Sequence, residues 1–222
     1  MGHEINNPLA IINQKTGLAE DLMSISPDFE HKKSIESCLK VIDQSVERCK
    51  AITHRLLGFA RRADVHSESL QVNDVIKEVM QFLENSMLHS RIRLELKLQE
   101  DLPFINSDHL QLQQIFLNIT NNAIDAIGKD GQVTIMTHLV AGEVRVVIED
   151  NGSGIENDVL PHIFEPFFTT KETGKGTGLG LSITYGLVKK LGGDITVRSH
   201  IGQGTAFTIT LPIHSEENDP NR

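Results

Sequence analysis

Asn118 and Asn122 stand four residues apart in the run Asn118-Ile119-Thr120-Asn121-Asn122. On a helix they face the same way. Their amide oxygens are hard neutral ligands, suited to Mg2+ when phosphates supply the negative charge. Alone, the pair would read as helix-surface asparagines. Further on comes Asp150-Asn151-Gly152-Ser153-Gly154. A carboxylate at Asp150 can accept a hydrogen bond from the exocyclic amine of adenine, and Gly152 and Gly154 let backbone approach a flat base. The same residues also make an ordinary turn. Gly174-Lys175-Gly176-Thr177-Gly178-Leu179-Gly180-Leu181 alternates glycine with other residues directly before a helical pattern. Amides at a helix N-terminus favour phosphate; a flexible hinge is the plainer alternative. The run is neither a Walker motif nor a dinucleotide fingerprint, since Leu179 and Leu181 occupy the required glycine positions. Between these blocks lies Phe164-Glu165-Pro166-Phe167-Phe168 on a long segment, which we read as a lid over ATP. Phe167 belongs to that lid, and Lys171 and Lys175 are candidate phosphate contacts.

A second chemistry sits at the other end, in Gly2-His3-Glu4-Ile5-Asn6-Asn7-Pro8. A neutral imidazole is a competent nucleophile near pH 7. Glu4 is adjacent and can orient one ring nitrogen, then accept its proton. Asn7 is one helical turn further on the same face. Pro8 cannot donate a backbone hydrogen bond, which leaves the Glu4 carbonyl free. An isolated helical histidine is more often a solvated side chain. The nucleotide blocks make His3 a candidate phosphate acceptor, with Glu4 and Asn7 beside it.

The elements that must hold these groups fall into two sets. In the first third, apolar or small residues recur at Ile5, Leu9, Ile12, Thr16, Ala19 and Met23, then at Ile35, Leu39, Ile42, Val46, Cys49, Thr53, Leu56 and Ala60. Steps of four and three define a bundle seam. Ser24 to Asp28 breaks it with turn residues and a proline, giving a helical hairpin. Two helices bury too little on this seam, so a homodimer that closes a four-helix bundle is expected. The hairpin is lopsided around His3, which suggests a piece of a longer sensor, truncated at its N-terminal side. We expect a hairpin over 1–64, a linker over 65–70, a nucleotide domain over 71–213 and a disordered tail over 214–222.

In the second set, Asn73 or Asp74 caps a helix to about Leu88, and Arg91 to Leu98 alternates as a strand. Ser107 or Asp108 starts a helix that Gly128 to Gly131 stops. Gln132–Leu139 and Glu143–Glu149 are strands around the turn Ala141-Gly142. A helix spans Thr177–Leu191, and closing strands span Asp194–Ser199 and Thr205–Leu211. Helices and mainly antiparallel strands in mixed order give an α+β sandwich, a mixed sheet with helices on one face.

Bulk properties narrow the function classes. The 222 residues carry a net charge of -9, which argues against a general nucleic-acid binder. No apolar run is long enough to span a bilayer and no secretory leader pattern opens the chain, so this portion is expected in the cytoplasm, whether or not its parent is membrane-anchored. Cys38 and Cys49 lie about 16 Å apart on one helix, too far to bridge within it. The histidines other than His3 show no metal-like spacing.

In this order, the blocks resemble the N, G1, F and G2 boxes of bacterial sensor histidine kinases of two-component systems. Asn122-Ala123-Ile124-Asp125-Ala126 looks most like the nitrogen-sensor-like branch. Gly202-Gln203-Gly204-Thr205 is similar to the last glycine box, where the resemblance implies that Thr205 helps hold adenine through water. His3 to Pro8 resembles the phosphoacceptor H-box, and the first third a dimerisation and phosphotransfer domain. The resemblance covers about residues 1–213. It implies autophosphorylation on His3 from ATP with Mg2+, then transfer to an aspartate of a response regulator. It also implies a regulator phosphatase activity in which Asn7 positions water. The fit is poorest at Asp125, where many members carry a lysine that contacts phosphate.

Two other classes stay open at this level. A plain ATPase of the gyrase and Hsp90 type would want a glutamate where Asn118 stands, because a neutral amide is a poor base. A non-catalytic dimeric docking module has no need of His3, Glu4, Asn122, Asp150 and the loop glycines together.

Overall fold

A computed structural model describes residues 2–43, 46, 66–171 and 176–213, with side chains from residue 10 onward. The chain divides into two compact units, Met1–Ala63 and Asp64–Arg222.

In the first unit, helix α1 spans Gly2–Ile25. A second helix, α2, is described over residues 32–43. The break falls at residues 26–31, slightly later than the proline pattern predicts. Ser26 prolongs the helix end, its hydroxyl donating to Leu22 O at 2.7 Å. Ile11, Ile12, Leu18, Leu22, Ile35, Val41 and Ile42 are exposed. The expected continuation of the second helix through Cys49, Leu56 and Ala60 lies outside the described residues. Among the described residues no helix is long and apolar enough to cross a membrane.

The second unit is the expected α+β sandwich. Its strands are β1 (Glu68–Leu70), β2 (Arg93–Leu98), β3 (Ile105–Ser107), β4 (Gln132–Val140), β5 (Glu143–Asp150), β6 (Asp194–His200) and β7 (Gly204–Pro212). Its helices are α3 (Val72–His89), α4 (His109–Ile127) and α5 (Gly180–Lys190). Five strands form one sheet in the order β2-β4-β5-β7-β6. The pair β2–β4 is parallel and the other pairs are antiparallel. The alternating residues Val133, Ile135, Val144, Val146, Ile148, Phe207, Ile209 and Leu211 are buried in a core shared with α3, α4 and α5. Period-two alternation puts those residues on one sheet face, and the helices cover it. Phe116 and Ile119 carry the centre of α4 into that core with almost no exposure.

Local chemistry sets several boundaries as expected. Asp108 caps α4, accepting the Gln111 N–H at 3.0 Å. Gly128 ends α4 at φ 71°. Ala141 and Gly142 both hold positive φ, the twist a two-residue hairpin needs.

Four expectations need correction. Residues 68–70, given to the linker by sequence, form β1 and pair antiparallel with Ile105–Ser107. Asn73 does not cap α3, which starts after Gln71 without a side-chain cap. Asn73 is buried inside that helix, donating to Gln99 O at 2.8 Å and accepting from the Thr137 hydroxyl at 2.9 Å. The strand expected from Arg91 begins at Arg93, because Arg91 takes φ 52° at the turn. The helix expected from Thr177 begins at Gly180, because Gly178 takes φ +65° and cannot enter a helix there. The tail over 214–222 lies outside the described residues.

Candidate nucleotide-binding site

Helix α4 is the element that the other motif segments meet. Near its middle, Asn118 is half-buried and aims its Nδ2 at α5, 3.5 Å from Gly180 O and 3.3 Å from Thr184 Oγ1. These long bonds tie the amide nitrogen to the first turn of α5. One turn later, Asn122 Oδ1 lies 3.5 Å from Lys171 Nζ. The same ammonium sits 2.5 Å from Asp125 Oδ2. At the end of α4, the Ser153 N–H donates to Ala126 O at 3.1 Å. A Cβ on Gly152 would stand 2.6 Å from the Ala126 carbonyl carbon. Gly152 therefore lets that loop lie directly on the last turn of α4.

The loop after Asp150 is fastened on its far side to the β6–β7 turn. The Gly202 N–H donates to Ser153 O at 2.8 Å. Asp150, Thr205 and Ser199 occupy one rung of the sheet, with Asp150 opposite Thr205 and Thr205 opposite Ser199. Directly opposed residues share a face, and all three are buried. The Asp150 carboxylate accepts the Gly152 N–H at 2.8 Å. Burial pushes the Asp150 carboxyl above the ordinary aspartate value. The N–H groups of Gly152 and Thr205 pull the other way without offsetting it, and Glu149 adds to the rise. The result is a desolvated carboxylate with unused acceptor capacity.

The segment between the two glycine blocks has its own anchor. Phe164 packs on the core and stacks obliquely with Tyr185, ring centres 5.3 Å apart. Phe167 takes φ 67° and donates its N–H to Gly178 O at 2.9 Å. A Cβ on Gly178 would fall 2.3 Å from the Phe167 carbonyl carbon, so this glycine permits the close approach. The Phe167 ring itself is exposed. Leu179 is buried beside the start of α5, so a ligand would meet its backbone only.

The second unit thus brings Asn118 to Gly180 and Thr184 at the start of α5, Lys171 to Asn122, Gly176 against Lys171, and Gly178 against Phe167. Asp150, Gly152, Gly154 and Thr205 line the end of the sheet. Lys175 lies outside the described residues, and so do the side chains of His3, Glu4 and Asn7, which α1 carries. Sequence reasoning missed Ser199 and Thr184. Each is a small hydroxyl inside an otherwise apolar pattern, the one signal available for either.

Residues 107–215 match the family of histidine kinase-, DNA gyrase B- and HSP90-like ATPases. The catalytic domain of histidine kinase ThkA superposes with a TM-score of 0.62 at 30% identity, over 67% of this chain and 97% of that one. The chain belongs to the sensor histidine kinase family. Among these kinases, Sensor kinase CckA of Brucella abortus is 36% identical over 98% of this chain and 24% of its own length. Full-length ShkA in complex with AMPPNP matches with a TM-score of 0.74 at 26% identity, over 95% of this chain and 44% of that one. ThkA in complex with the response regulator protein TrrA matches with a TM-score of 0.69 at 25% identity, over 95% of this chain and 59% of that one. The chain spans from about a quarter to under half of the length of the curated kinases it matches. Within this family the second unit is an ATP-binding module.

Proposed function

We propose that this chain is the catalytic core of a protein histidine kinase that phosphorylates His3 from ATP. The observation that carries the reading is the meeting of three separate segments on α4: the start of α5 at Asn118, the Lys171 segment at Asn122 and Asp125, and the loop after Asp150 at Ala126. Asp150 takes the adenine amine, with Thr205 beside it. Gly152 and Gly154 admit the base. The amides from Gly176 to Gly180 face the phosphates at the start of α5, and Lys171 adds positive charge near them.

The donor set near α4 fits a magnesium ion. Among the described residues no cluster of three or more His, Cys, Asp or Glu side chains could hold a metal. The ion would instead rest on amide oxygens of Asn122 and Asn118 and on the phosphates themselves. When bound, it would neutralise phosphate charge, a principal requirement of phosphoryl transfer.

Transfer requires the nucleotide unit to bring the γ-phosphate to His3. The lone pair of a His3 ring nitrogen forms the N–P bond. The bridging P–O bond to ADP breaks, and the proton on the other ring nitrogen passes to Glu4. Asn118 argues against hydrolysis as the main outcome, since an amide there does not activate water. A response regulator aspartate is the next acceptor, in keeping with the ThkA–TrrA complex. Dephosphorylation of that regulator, with Asn7 holding water, is a second activity of the same helix. The exposed apolar residues of α1 and α2 support a homodimer closed by a second hairpin.

The test is labelling by γ-labelled ATP. An acid-labile, alkali-stable label that disappears in His3→Gln is expected. Labelling that survives the substitution refutes the assignment of His3, and rapid ATP turnover without a phosphoprotein favours the ATPase.

A further inference from the structure

We propose that Ser199 is a specificity-determining residue for the base, holding Thr205 so that the wall beside Asp150 presents hydrogen-bond acceptors alone. The proposal rests on the adenine pocket assigned above and adds a residue that contacts no ligand.

The argument is a count of protons. Ser199 is 5% exposed and its Oγ has three neighbours. The Ile155 N–H donates to it at 2.8 Å. Gly204 O lies at 2.9 Å, and Thr205 Oγ1 also at 2.9 Å. A serine hydroxyl has one proton and two lone pairs. Ile155 can only donate, so it fills one lone pair. Gly204 O can only accept, so it needs the Ser199 proton. The second lone pair then takes the Thr205 proton. This arrangement makes all three bonds.

The alternative points the Ser199 proton at Thr205. It makes two bonds instead of three, giving up the one from the serine to the carbonyl of buried Gly204. The first arrangement is therefore preferred. In it, the Thr205 hydroxyl has no proton left for the pocket.

Asp150 is the neighbour of Thr205 on the same rung, and its ionised carboxylate also only accepts. The two residues together select a donor, the 6-amino group of adenine, and disfavour the carbonyl of a 6-oxopurine. Ser199 also straps the loop after Gly154 to the β6–β7 turn through Ile155 and Gly204. A strap alone, however, would affect both kinds of base equally.

Competitive binding of ATP and inosine triphosphate to the full chain separates these roles. The wild type should prefer ATP by at least about a hundredfold, as expected of a closed polar site. Ser199→Ala frees the Thr205 proton. ATP should weaken by about tenfold, the size of one hydrogen bond to a site group, and inosine triphosphate should not weaken. The preference therefore falls by about tenfold, and Ser199→Thr, which keeps the hydroxyl, should restore it. If Ser199→Ala weakens both nucleotides alike, Ser199 is only a strap and the proposal fails. Should that variant not fold, Thr205→Val removes the same hydroxyl, and an unchanged preference there fails it equally. A wild type that binds neither nucleotide overturns the nucleotide assignment itself, and this inference with it.

Discussion

Lys171 Nζ pairs with Asp125 Oδ2 at 2.5 Å across the gap between the segment after Phe168 and helix α4. The family resemblance leads one to expect a lysine at position 125. Here α4 carries the opposite charge there, and a lysine from another segment stands against it. A positive charge thus stands beside position 125 without being carried by α4.

The pair's side chains are 37% and 56% exposed, so their mutual attraction is worth at most about 1 kcal/mol. Lys171→Ala should weaken MgATP binding about tenfold at low salt, the effect of one charge-assisted bond to phosphate. Asp125→Asn should tighten it by a few-fold at most, because Lys171 is released and a carboxylate is removed near the phosphates. Both effects should shrink as salt rises. Calorimetric titrations at two ionic strengths check this, and an Asp125→Asn protein that binds MgATP more weakly refutes it.

Asp150 sets function against stability. Its folded pKa is raised by burial, so the ionised form costs stability in the empty protein at neutral pH. That cost is absent below the ordinary aspartate value and grows as pH rises through the folded one. Asp150→Asn should therefore melt no lower than wild type at pH 7, with the difference vanishing in acid. The same variant should lose nucleotide binding. Wild-type affinity should begin to fall with decreasing pH before ordinary carboxylates titrate. Thermal melts and affinities across pH test both halves.

Asp108 behaves in the opposite sense. Burial raises its pKa, but the Gln111, His66 and Leu110 N–H groups and the Gln111 side chain outweigh burial and leave it lowered. The stability it brings is present above the ordinary aspartate value and lost as pH falls through the lowered one. Asp108→Ala should cost about 1 kcal/mol through the lost α4 cap. It should also release the backbone at His66, which Asp108 Oδ2 accepts at 3.1 Å. The gap between wild type and variant in chemical denaturation should close in acid.

Gly204→Ala should be severe. A Cβ there would lie 1.9 Å from Asp150 O, at a φ of +105°. The strained dihedral alone costs about 1–3 kcal/mol, and the clash pushes β7 from β5 where Asp150 and Thr205 meet. A large fall in melting temperature together with loss of ATP binding is expected. A variant that binds ATP normally would show that the pocket wall can shift freely.

What could be read from sequence was what depends on neighbouring residues. The Asp108 cap, the Ala141-Gly142 turn and the Gly128 stop each follow from the chemistry of a few adjacent positions. Asn73 has the right type for a cap, yet its bonds to Gln99 and Thr137 win. Those partners come from another part of the chain, and no local pattern announces them. The small β1–β3 sheet was hidden for the same reason, since three residues of strand show no periodicity. In the site, the order of the glycine blocks foretold which segments would meet. It did not reveal that Lys171 would face Asp125, nor that Ser199 would stand beside Thr205. Both depend on distant segments being brought together by the fold.

The single rung shared by Ser199, Thr205 and Asp150 has one more consequence. Side chains alternate across a sheet, so a one-residue slip of β7 would turn Thr205 to the opposite face and bring Ala206 or Gly204 opposite Asp150. On the proposal above, the choice of base would depend on the pairing of strands as well as on the side chains themselves. If the rung selects the base as proposed, a misregistered molecule would keep most of its core and lose that selection, so the preference would be set while the sheet assembles.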